Sequence, residues 1–173
     1  MQPSFELRIQ TMVKAMRETI MPALDPANSA AIEQAYIVMG SLELLRQQID
    51  HAHPFEVADA RGMAELVRAM TCEASLPSGE AADAVAARAL LAVEDRDSPL
   101  SALRECNRAL RAAIGLLIAD AFADDDVSSR IQTLVLNHSE RQIDRERAFV
   151  AAANFDVFPN SLRTIKETLS RAS

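Results

Sequence analysis

Apolar residues in this chain recur at steps of three and four, segment after segment, and nowhere settle into alternation. Ala35, Val38, Leu42, Leu45 and Ile49 form one such series, and Leu103, Cys106, Leu110, Ala113, Leu117 and Ala121 another. That spacing places residues on one face of an α-helix, whereas a half-buried strand needs a period of two. The chain can therefore bury its apolar mass only as packed helices. Composition agrees, since 31 alanines raise helix propensity almost everywhere while 4 glycines and 7 prolines are too few for the turns of a sandwich or barrel. The fold class is all-α: an up-down bundle of about six to seven helices in one domain over residues 1–173.

Breaks between helices are marked by local chemistry. Ser4 caps a first helix carrying Leu7, Ile9, Met12, Val13, Met16 and Ile20, and Pro22 with Asp25-Pro26 ends it. Asp25 caps the second, with Pro26 at its first position, and His53-Pro54 closes it. A third runs from Glu56 to Ala74 with Met63, Leu66, Val67 and Met70 inward, and Leu76 to Glu80 is the clearest loop. An Ala-rich helix follows from Ala81 to Val93 with Val85, Leu90, Leu91 and Val93 as its apolar residues. Ser98-Pro99 opens the next, Val127 starts a long one that carries apolar residues as far as Val150, before Asn154, and Ser161 opens the last after the linker Phe155 to Asn160. We place the helices beginning near Pro26, Pro99 and Val127 at the core, the first two having apolar residues on more than one face, with Leu42, Leu45, Leu110, Ile114 and Leu117 nearly fully buried.

Charge excludes several functions. A net charge of −7 disfavours nucleic acid and anionic lipid, because phosphate affinity rests on clustered Lys and Arg. No apolar run approaches the roughly 20 residues a membrane span requires. No G-x-G-x-x-G or G-x-x-x-x-G-K is present, and without strands neither phosphate-binding route has a scaffold. Cys72 and Cys106 lack C-x-x-C spacing, so we expect reduced thiols and a cytoplasmic protein. Only 2 of the 18 basic residues are Lys, a bias we attribute to a GC-rich, bacterial-like genome rather than to chemistry.

Candidate chemistry is sparse. The Glu-x-x-His pairs of a di-iron bundle are absent. Asp50-His51-Ala52-His53 holds one Asp-x-x-His, but residues two apart on a helix point about 200° apart, so we expect no metal and no cofactor. Cys72 and Cys106 have no neighbouring His or cluster of basic residues to activate them. One seam does stand out: Val135, His138, Gln142, Arg145 and Phe149 step by three and four, so polar residues interrupt an otherwise apolar line. A polar pocket would draw on His138, Gln142 and Arg145, with Arg46, Asp50 and His53 from the second helix and its end. The simpler expectation turns Leu136, Ile143 and Val150 inward and leaves His138 and Arg145 at the edge. We therefore expect a non-enzymatic protein acting through protein association, most simply a homodimer through the first helix, with a small-molecule- or metal-binding bundle or enzyme accessory subunit as the competing class.

Overall fold

The structure, a computed structural model, describes residues 2–151 and 156–170. It is an all-α helical bundle with no strand among the described residues. The helices are α1 (Phe5–Ala15), α2 (Met21–Ala23), α3 (Ser29–Gln48), α4 (Ala52–Glu73), α5 (Gly79–Glu94), α6 (Leu100–Ala121), α7 (Asp125–Phe149) and α8 (Ile165–Ser170). A π-helical turn, Met16–Ile20, joins α1 to α2. Pro22 explains it: proline has no N–H to give the carbonyl four residues back, and its ring crowds that carbonyl. The chain widens, and the Met21 N–H reaches the Met16 carbonyl instead.

Capping side chains set several boundaries. The Ser4 hydroxyl accepts from the Leu7 N–H at 3.2 Å, as its place before α1 demands. The second helix starts later than Asp25-Pro26 suggests. Asp25 accepts from Ala27 N–H in a tight turn, and Asn28, whose side chain accepts from Ala31 N–H at 3.1 Å, is the true cap of α3. The last helix also starts late. Ser161 ends a short 3₁₀ turn, while Thr164 and Glu167 form a reciprocal capping box ahead of Ile165. α7 ends at Phe149, before Asn154; Asn154 and Phe155 lie outside the described residues.

The chain divides into two compact units. One comprises Met1–His51 and Glu146–Arg163. Here α1 packs on α3, with Ile9, Val13 and Ala35 buried. The Gln48 amide donates to the Phe149 carbonyl at 2.9 Å. The Arg147 guanidinium forks onto Asp156 at 2.8 and 2.9 Å, and with the Phe158 N–H it lowers that carboxyl's pKa to about 2. Contrary to expectation, α3 is no central helix. Ala35 is its one buried residue, Leu42 is half-buried and Leu45 is 47% exposed. Apolar residues circle α3, but a residue is buried only where a neighbour lies against its face.

The other unit comprises Ala52–Arg145 and Thr164–Ser173. α4, α5 and α6 pack against one another, and Met63, Val67, Met70, Leu103, Leu110 and Leu117 are closed off from solvent. Ile131 of α7 joins this core, with Ile114 half-buried beside it. α5 turns inward a seam of Ala82, Ala86, Ala89 and Val93, while Leu91 is 67% exposed. Small residues at a contact let two helix backbones approach, which explains why alanine rather than leucine faces the core. α6 ties back to the loop before α5, where the Asp120 carboxylate accepts from the Ser78 N–H and hydroxyl.

Candidate functional site

The inward line of α7 is Ile131, His138 and Arg145, each two helical turns from the next. The stripe expected inward, Leu136, Ile143 and Val150, faces out, with Leu136 60% exposed. A buried anion reverses the expectation. Asp59 of α4 is 1% exposed, and its carboxylate accepts from Arg145 Nη2 at 3.2 Å and from Arg111 Nη2 of α6 at 2.6 Å. A buried carboxylate without paired cations is very costly, so α7 turns its arginine, not its leucine, toward α4.

His138 lies beside this pair. Its ring is hydrogen-bonded to Gln142, one turn along, and its Nε2 has no partner, nor has Arg145 Nε. Burial first, then the positive charge of Arg145 and Arg141, pushes the imidazole pKa below its ordinary 6.5, against smaller opposing effects of Asp59 and Gln142. The ring is therefore neutral at pH 7. Gly62 makes the approach possible: a Cβ there would meet His138 Cε1 at 3.3 Å and Arg145 Nη2 at 3.6 Å.

A second polar cluster joins α4 to α6. Asn107, fully buried, donates through Nδ2 to the Glu56 carbonyl at 3.1 Å and to Glu56 Oε2 at 2.7 Å. Arg104 Nε donates to Glu56 Oε1 at 2.9 Å. Together the clusters fix how α6 and α7 lie along α4.

Of the six residues singled out for a polar pocket, the structure joins three: His138, Gln142 and Arg145. Arg46 belongs to the other unit, where it pairs with Glu43 and Glu6, and Asp50 is exposed at the end of that unit's α3. His53, in the first turn of α4, meets the Ser98 carbonyl at 3.3 Å through Nε2. Asp59, Arg111, Glu56 and Asn107 were not foreseen. Asp59 did leave a signal, because it precedes Met63, Leu66 and Met70 at steps of four, three and four, an acid on a core seam. Asn107 sits likewise between Leu103 and Leu110.

Chemically the Asp59 cluster is a closed ion pair. Among the described residues no hydroxyl or thiol is bonded to His138, and each oxygen of Asp59 accepts from one guanidinium group. Among the described residues, no three His, Cys, Asp or Glu side chains are grouped to hold a metal ion. Cys72 and Cys106 are free thiols, exposed and half-buried respectively. No helix among the described residues is long and apolar enough to cross a membrane. Comparison with known protein families, curated proteins and solved structures finds no match to this chain.

Proposed function

We propose that this is a non-enzymatic helical protein that acts through protein association, and that its first partner is a second copy of itself, paired through α1 and α3. The observation that carries this reading is the apolar surface of the unit those helices form. Phe5 and Met12 lie seven residues apart on α1, and Val38 and Leu45 seven apart on α3, and all four are exposed, as are Tyr36 and Ile37. A step of seven is two helical turns, so each pair is a stripe on one outer face, the pattern that packs one helix against another. Exposed apolar patches of this kind mark interaction sites. A two-fold dimer is the commonest closed arrangement and lets one patch cover its copy. We place the protein in the cytoplasm, in keeping with its free thiols and acidic charge.

Sedimentation velocity at micromolar concentration tests the reading. The wild type is expected to run as a dimer. Met12→Glu, which places an unpaired charge in the stripe without touching the buried Ile9 and Val13, is expected to run as a monomer with unchanged helicity. Met16→Glu, at a half-buried position, is expected to dissociate the dimer and also to lower stability. A wild-type monomer at that concentration refutes self-association.

A further inference from the structure

A cleft of about 430 Å³ opens in the unit built on α4, α5 and α6, a size within the range of about 300 to 1,000 Å³ typical of small-ligand sites. Its apolar lining includes Val57 of α4, Val93 of α5 and Leu169 of α8. Arg61 of α4 and Arg96, from the turn before α6, also line it, with His53 beside them. None of the described lining residues is acidic, in a chain whose net charge is −7.

Two acids near the cleft, Glu56 and Asp95, are engaged by other groups. Glu56 is held by Arg104 and Asn107. Asp95 accepts from the Asp97 N–H at 3.0 Å and from the Ser98 hydroxyl. Neither Arg61 nor Arg96 has an ion-pair partner among the described residues. Two uncommitted guanidinium groups thus flank an apolar floor. Guanidinium binds carboxylate through paired N–H donors, and the floor offers an alkyl chain a place out of water.

We infer that this cleft binds a small amphipathic carboxylate, one anionic head on a short aliphatic body. Head and body are both required: Arg61 and Arg96 take the carboxylate while Val57, Val93 and Leu169 cover the chain. The site is separate from the self-association surface, so failure of either leaves the other standing.

Titration of the full chain with sodium octanoate, followed by calorimetry and by amide NMR, tests this. Saturable one-to-one binding is expected, with shifts centred on Val57, Val93 and Leu169. The double variant Arg61→Gln with Arg96→Gln is expected to bind about tenfold or more weakly, and octan-1-ol and inorganic phosphate are each expected to bind far more weakly than octanoate. The proposal falls if octanoate fails to saturate, if its shifts lie away from the cleft, if the double variant binds as well as wild type, or if octanol or phosphate matches octanoate.

Discussion

Asp59 and Arg145 stand 86 positions apart in the chain and meet at 3.2 Å, both closed off from solvent. Breaking such a pair leaves one charge buried without its partner, which costs about 3 to 5 kcal/mol. Asp59→Asn is therefore expected to lower stability by about that much in urea denaturation, since it strands Arg145. Arg111→Gln is expected to cost less, because the Arg111 side chain is half exposed and Asp59 keeps Arg145. A loss below about 1 kcal/mol for Asp59→Asn would show that the pair does not hold the unit together.

His138 gives stability a pH dependence. Its folded pKa lies below 6.5 while the unfolded ring takes up its proton near 6.5, so the unfolded state binds more protons on the acid side. The contribution is complete above about 6.5 and is lost as the pH falls through the folded value. Protonation would add a charge beside Arg145 and Arg141 with Asp59 the carboxylate acting on the ring. His138→Gln, uncharged at every pH, is expected to flatten the fall in urea midpoint below pH 6.5. An identical slope in the variant would assign it to other groups.

Glycine substitutions separate two helical sites. Nothing lies within 4 Å of a Cβ built on Gly115 of α6, so Gly115→Ala is expected to stabilise by up to about 1 kcal/mol through helix propensity. At Gly62 the new methyl would press on His138 and Arg145. Gly62→Ala is expected to forfeit that gain, and Gly62→Val to destabilise outright. Thermal melts of the three variants provide the check, and an equal gain at both sites would mean that the cluster yields freely.

Leu110 and Leu45 were alike by sequence and differ in the fold. Leu110 is fully buried, and Leu110→Ala is expected to cost about 2 to 5 kcal/mol. Leu45 is half exposed, so at concentrations where the chain is monomeric Leu45→Ala is expected to cost about 0.5 kcal/mol or less. Equal losses would return α3 to the centre of the bundle.

What the sequence by itself determined is local. Three-and-four spacing and abundant alanine make helices, Ser4 caps α1, and Pro22 disrupts the helix after it, because each effect acts within one or two turns of chain. The capping box at Thr164 and Glu167 was equally local and outweighs Ser161 on the same grounds. Of the site, the polar break at His138, Gln142 and Arg145 was legible as a pattern; its direction was not. Direction depends on the buried carboxylate of Asp59, supplied by α4, and no periodicity within α7 reports it. The same holds for α3 and α5: apolar residues on several faces leave the buried face undecided until neighbours are in place. Tertiary structure thus chose alanine to face the core in α5 and left Leu45 in water, because burial belongs to a pair of surfaces and a sequence segment presents only one of them.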